Sequence, residues 1–229
     1  MKNPFKIFTI KDWLIYIISI VIILAFNLFS KEIDYFKMVA TFIGATSLIF
    51  IAKGHFLGQI IMVIFATFYS ILSYLNGYYG EIIISAGLTL PLAISSIFTW
   101  IKNPYKKGEN VVKIYRLTRK DMLLTIIIVL VVVCGGFFVL RALGANNLIV
   151  SSISLGTSFV ASYLMFRRNS FYAVVFMLND IVLMVLWSLA SIRDVTNLSI
   201  VSCFAMFFMN DLYAFISWKI REKKQRNGL

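Results

Sequence analysis

Two short stretches pose the chemical problem. In "VVFMLNDIVLMVLW", Val174 to Trp187, an amide and a carboxylate, Asn179 and Asp180, interrupt an otherwise apolar run, and in "AMFFMNDLYAFISW", Ala205 to Trp218, Asn210 and Asp211 do the same. A carboxylate beside an amide can hold hydroxyl groups or a positive charge, most strongly where water is scarce. No nucleophile or metal set accompanies them. The sole histidine, His55, stands beside Lys53 in a turn, and the two cysteines, Cys134 and Cys203, lie inside apolar runs, where neither a disulfide framework nor a zinc site is expected. The chemistry to expect is binding rather than catalysis, with no metal and no cofactor.

The elements that position these residues follow from composition. Of 229 residues, 60% are hydrophobic and 14% charged, and the mean hydropathy is +0.88. That leaves too little polar surface for a soluble globule, so the chain reads as an all-α integral membrane protein. A hydrocarbon core about 30 Å thick takes a helix of roughly 17–25 apolar residues. Eight such runs occur, at 13–29, 36–52, 56–76, 80–101, 122–143, 147–166, 170–192 and 196–219, and make 1–229 a single transmembrane domain. The first run is long for a signal sequence, and "NLFSKEID" after it offers no cleavage site, so it is expected to stay as a helix.

The net charge of +12 invites a nucleic-acid reading until the positions of the basic residues are mapped. With alternate segments assigned to one side, the N-terminus (Lys2, Lys6, Lys11), Lys53, the long loop 102–121, Arg167-Arg168 and the tail after Trp218 hold 18 Lys and Arg; the other side holds Lys31, Lys37, Arg141 and Arg193. This bias places both termini in the cytoplasm, supports an even helix count, and assigns the clusters to topology and lipid headgroups instead of nucleic acid.

The chain also repeats. "FIAKGHFLGQ…SYLNGYYGE…FTW" parallels "MFRRNSFYAV…SLASIRDVT…ISW", so three helices in 36–101 match three in 147–219. The run 122–143 links them by a single crossing, which makes the repeats parallel, and the run 13–29 is set outside them. Asp180 and Asp211 then fall at about 15 and 12 Å depth on consecutive helices. Each costs ~2.5–3.5 kcal/mol there, no Lys or Arg lies deep enough to neutralise them, and the first repeat has no counterpart.

The alternative to a binding role is that both Asn-Asp pairs knit helices together. Helical spacing nevertheless gathers candidates for a pocket: Trp187, Phe176 and Tyr172 share the Asp180 face, and Gln59 heads a polar stripe with Thr67, Ser70 and Tyr74 on the third run. Serines 151, 154, 158 and 162 form another stripe, Ser85, Thr89 and Ser96 lie beneath Glu81, Pro91 predicts a kink, and Trp100 and Trp218 read as interface anchors. The expected site is Gln59, Tyr172, Phe176, Asn179, Asp180, Trp187, Asn210 and Asp211, suited to a flat, partly cationic solute rich in hydroxyls.

At these residues the chain resembles the bacterial nicotinamide riboside transporters of the PnuC type, through "NGYYGE", "TWIKNP", "RRNSFYAVVFMLND" and "FMNDLYAFISW". The resemblance implies a three-plus-one-plus-three bundle similar to the sugar-carrying SWEET proteins, a homotrimer in the bacterial inner membrane, and inward facilitated diffusion of an unphosphorylated vitamin by alternating access. Relatives assigned to thiamine, riboflavin or deoxynucleosides keep those solutes open, as do a sugar and a proton-coupled mechanism. One departure bears on the solute: where the family has W-x-x-W-x-x-x-N, this chain has Tyr172, Val175 and Asn179.

Overall fold

The computed structural model describes residues 4–29, 35–106, 108–145, 147–192 and 195–227. Lys2, Lys31, Lys107 and Arg193 of the charge count, and the "SKEID" segment 30–34, lie outside them. Among the described residues eight long helices follow one another: α1 (Ile10–Phe29), α2 (Tyr35–Ala52), α3 (Leu57–Leu75), α4 (Tyr79–Lys102), α5 (Arg119–Ala142), α6 (Leu148–Phe166), α7 (Tyr172–Ser191) and α8 (Leu198–Arg226). Among the described residues, α2 to α8 each have the length and apolar content to cross a membrane, which defines a multi-pass membrane protein.

The ends fall within a few residues of the apolar runs except at α8, which continues seven residues past the expected end at 219. Its polar tail is held in place. Lys219 pairs with Glu222 one turn on, Arg116 of the 103–118 loop also bonds Glu222, and Gln225 accepts from the Ile114 N–H and donates to the Val112 carbonyl. In α4 the distortion that Pro91 announces lies ahead of it, as a π-helical stretch over Ile83–Thr89. The widened turn, with the Leu90 N–H reaching back to the Ser85 carbonyl, absorbs a position where proline offers no donor.

Helices α2, α3 and α4 form one three-helix unit and α6, α7 and α8 the other, and the two meet along α2 against α8 and α4 against α6. A pseudo-twofold relation shows in single hydrogen bonds. The indole N–H of Trp100, near the end of α4, donates to the carbonyl of Met165, the penultimate residue of α6, at 3.1 Å. Trp218, on α8, donates to Ile51, the penultimate residue of α2, at 2.9 Å. The turns after α2 and α6 match as well. Gly54 and Arg168 both have positive φ, 65° and 58°. His55 Nδ1 accepts the Leu57 N–H as Asn169 Oδ1 accepts the Phe171 N–H, and the 103–118 loop straps both turns, Val112 N–H to the Gly54 carbonyl and Tyr115 N–H to the Arg168 carbonyl.

The two remaining helices correspond to each other. α1 packs on α2 and α8; α5 packs on α6 and reaches α4 through Leu140, which meets Ile84 and Leu155. Gly136 permits the α5–α6 approach, because a Cβ there would collide with the Leu155 side chain. Both helices open on the pattern T-x-K-D, "TIKD" at Thr9 and "TRKD" at Thr118, and in both the Asp carboxylate accepts from the backbone N–H and hydroxyl of the Thr three residues earlier. Asp12 then pairs with Lys53 at 2.8 Å, and Asp121 with Arg167 at 2.5 Å, the equivalent basic residue of the other turn. The helix set outside the repeat from sequence therefore has a structural partner in α5.

A candidate solute cavity between the two units

A cavity lies between the units, lined from all six of their helices and by neither α1 nor α5. One wall is acidic and polar: Asn179 and Asp180 on α7, Asp211 on α8 and Ser158 on α6. The facing wall is mostly aromatic and apolar, with Met62, Phe65 and Tyr69 on α3, and it carries Glu81 and Ser85 from α4. Phe176, Phe204 and Phe207 add to the apolar lining, and no Lys, Arg or His lines it.

Some of the polar groups have identifiable holders and others do not. Asn179 Oδ1 accepts from Thr157 at 2.7 Å and Ser158 at 3.0 Å, which fixes the amide with its oxygen toward α6. Asp180 and Asp211 are 3% and 2% exposed, with their carboxyl groups within hydrogen-bonding reach of each other. Their outer oxygens, Asp180 Oδ2 and Asp211 Oδ1, have no hydrogen-bond partner among the described residues. Glu81, 1% exposed, accepts from the Tyr69 hydroxyl at 3.3 Å, and Tyr69 accepts from the Trp187 indole N–H at 3.1 Å.

Aromatic layers bound the cavity at both ends. Toward the basic end, where both termini lie, Tyr172 packs on Trp218 at 4.9 Å between ring centroids, and Trp218 on Trp100 at 5.6 Å. Toward the opposite end Trp187 packs on Tyr78 at 4.8 Å and on Tyr69 at 6.4 Å. Trp100 and Trp218 are 2% and 0% exposed, so they are internal rungs between the units rather than the interface anchors their place near helix ends suggests.

Of the eight residues named from sequence, the structure brings Tyr172, Phe176, Asn179, Asp180 and Asp211 to the cavity and leaves Gln59, Trp187 and Asn210 outside its lining. Asn210 donates to Ser19 on α1 at 2.9 Å and to the Met206 carbonyl, joining α8 to α1. Trp187 belongs to the aromatic layer above the carboxylates, spent on Tyr69 and Tyr78, and does not stack on a solute from where it stands. Gln59 is fully buried, and its amide has no hydrogen-bond partner among the described residues. The stripe it heads also divides, because Thr67 and Tyr74 face outward; the inward face of α3 is Met62, Phe65, Ala66 and Tyr69. Four serines of α6 are buried as a set, and only Ser158 reaches the cavity.

Glu81 and Tyr69 are the residues that sequence reading passed over. Glu81 is the one acidic residue of α4, a signal in itself, and the sequence placed it only at the head of the Ser85, Thr89 and Ser96 stripe. His55 is settled as structural. Its Nδ1 accepts a backbone N–H in a buried turn, and burial holds its pKa below 6.5.

A cavity with carboxyl groups, walled by two pseudo-symmetric helical units inside a membrane bundle, is the architecture of a solute carrier. Residues 34–220 match the family described as nicotinamide mononucleotide transporter, and the chain belongs to that family. It is 24% identical over 190 residues to the nicotinamide riboside transporter PnuC of Neisseria mucosa, covering 81% of this chain and 72% of that one. Its fold matches the crystal structure of the vitamin B3 transporter PnuC with a TM-score of 0.83 over 95% of this chain and 94% of that chain, at 21% identity.

Proposed function

We propose that the chain carries nicotinamide riboside across the bacterial inner membrane by alternating access, with both termini in the cytoplasm. The observation that carries the reading is the charge of the cavity: three carboxyl groups, aromatic rings on the facing wall and no basic lining residue. Nicotinamide riboside is a pyridinium cation with a hydroxyl-rich sugar. The ring suits the carboxylates and the aromatic faces, and the hydroxyls suit Asn179 and Glu81. The mononucleotide of the family description adds a phosphate, which proteins bind with Arg, Lys or helix N-termini. Here that phosphate would face carboxylates without a counter-ion, so the riboside is the better fit.

The two units, 36–101 and 147–219, would rock about the cavity, opening the Trp100–Trp218 layer on the cytoplasmic side in alternation with the Trp187–Tyr78 layer on the other. Asp180 and Asp211 would hold the positive charge, and Tyr172 and Phe176 would flank the ring. The exposed apolar side of α5, with Leu130, Val131 and Phe138, supports a surface against lipid or against further copies in a homotrimer. Purified protein tests the solute directly. Nicotinamide riboside at a hundred times its Kd should stabilise the fold by about 2.7 kcal/mol, seen as a rise in Tm, while the mononucleotide at equal concentration should not. A shift with the mononucleotide alone would overturn the choice.

A further inference from the structure

Three carboxyl groups line the cavity, and each keeps one oxygen with no hydrogen-bond partner among the described residues: Asp180 and Asp211 on one wall, Glu81 on the other. Much of the remaining polar lining is already engaged. Asn179 Oδ1 accepts from Thr157 and Ser158, and the Ser85 hydroxyl donates to the Glu81 carbonyl at 2.6 Å and meets the Ser70 hydroxyl at 2.7 Å. With the solute cation on the wall of Asp180 and Asp211, Glu81 Oε1 is left as the acceptor for its hydroxyls. The side chain is 1% exposed, and a buried acceptor without a partner costs free energy that an arriving hydroxyl removes.

Glu81 also ends a chain of hydrogen bonds that crosses from one helical unit to the other. Trp187, on α7, donates its indole N–H to the Tyr69 oxygen at 3.1 Å, and the Tyr69 hydroxyl, on α3, donates to Glu81 Oε2 at 3.3 Å. Trp187 packs on Tyr78 in the layer that bounds the cavity away from the termini, and Tyr69 packs edge-on against Phe204 of α8 at 5.9 Å. A phenol carries one proton, so Tyr69 accepts best from Trp187 when that proton is engaged by Glu81. At 3.3 Å the Tyr69–Glu81 bond is long for two oxygens, which leaves it room to tighten once a solute fixes the carboxyl group through Oε1.

We propose that Glu81 reads the sugar hydroxyls of the solute on Oε1, and that Tyr69 is a positioning residue that passes this occupancy to Trp187. The layer away from the termini then closes behind a pyridinium that carries its sugar hydroxyls and closes poorly behind one that lacks them. The solute lies with its sugar toward Trp187 and its ring toward Asp180 and Asp211. This inference rests on the riboside reading of the solute, and the two can fail separately.

The test compares nicotinamide riboside with the analogue whose sugar ring lacks both hydroxyls, by calorimetric binding to the purified chain and by uptake into proteoliposomes at saturating solute. The intact chain should bind the analogue about tenfold more weakly, the loss expected for a hydrogen bond to a buried acceptor, and should carry it several-fold more slowly. Glu81→Leu should bring both ratios close to one. Tyr69→Phe, which keeps the ring and removes the hydroxyl, should keep the affinity ratio and lose the rate ratio, a split that a merely structural role would not produce. Equal affinity of the intact chain for the two solutes, or an affinity ratio that survives in Glu81→Leu, would overturn the hydroxyl reading. A rate ratio that survives in Tyr69→Phe would overturn the coupling. The comparison on the intact chain needs no variant to fold, and if it bound neither solute the riboside reading itself would fall.

Discussion

Asp180 lies 13 residues after Arg167, and 13 residues after the equivalent Lys53 stands Ala66. Asp211 lies seven residues before Trp218, and seven residues before Trp100 stands Ala93. At mid-membrane, then, the second unit carries carboxylates where the first carries two methyl groups. At the basic end the same comparison gives near identity: Trp100 with Trp218, Asp12–Lys53 with Asp121–Arg167, and His55 with Asn169. Positions that fix how the units sit against each other tolerate little change, because a buried donor or charge left alone costs free energy in either half. Positions facing the cavity are released from that constraint. Their divergence gives the pocket an acidic wall and a mostly aromatic one.

The largest expected effect tests the divergent layer. Asp180→Ala should lower uptake about 100-fold, the loss expected from truncating a buried group that holds a charge, while Phe65→Ala on the facing wall should cost only a few-fold. Normal transport by the Asp180 variant, checked for folding by size-exclusion chromatography, would remove Asp180 from the site. The shared layer should answer in stability instead. Gly54→Ala forces a Cβ into the Arg221 guanidinium at positive φ and should destabilise by at least ~1–2 kcal/mol. Arg168→Gly, which relieves the same backbone strain in the other unit, should leave Tm unchanged or slightly raised.

Trp100→Phe and Trp218→Phe each remove one buried indole donor and should each cost about 1 kcal/mol; markedly unequal losses in thermal unfolding would break the pseudo-symmetry. The smallest effect is at His55. Its pKa is held below that of the unfolded chain, so the unfolded state binds the proton more readily. Stability is full above about pH 6.5 and falls as pH drops below it. His55→Asn, the residue used at the equivalent Asn169, should keep the turn and remove that part of the acid sensitivity in Tm measured between pH 7.5 and 5.

The apolar runs announced the helices because backbone groups inside a membrane have few other ways to be satisfied, and the basic loops marked one end of the bundle. Asp180 and Asp211 were legible for the same reason: a carboxylate is conspicuous where burial is costly. The helical partnership of α1 with α5 was written in "TIKD" and "TRKD", yet four letters 109 positions apart carry weight only once both are seen capping helices and pairing with equivalent basic turns.

What sequence left open was rotation. Gln59, Trp187 and Asn210 share the type and spacing of site residues, and Glu81 was only the head of a serine and threonine stripe, because helical periodicity says which residues share a face but not where that face points. Packing in three dimensions decides that. The π turn over Ile83–Thr89 and the close approach of α3 and α4 turn Glu81 and Tyr69 inward, the Tyr69 hydroxyl takes up the Trp187 indole, and Ser19 claims Asn210. Sequence by itself determined that this protein spans a membrane in parallel helical repeats with two carboxylates in its interior. Only the tertiary structure joined those carboxylates into one hydrogen-bonding pair and set Glu81 with them, because contact between helices depends on side-chain packing that no single helix encodes.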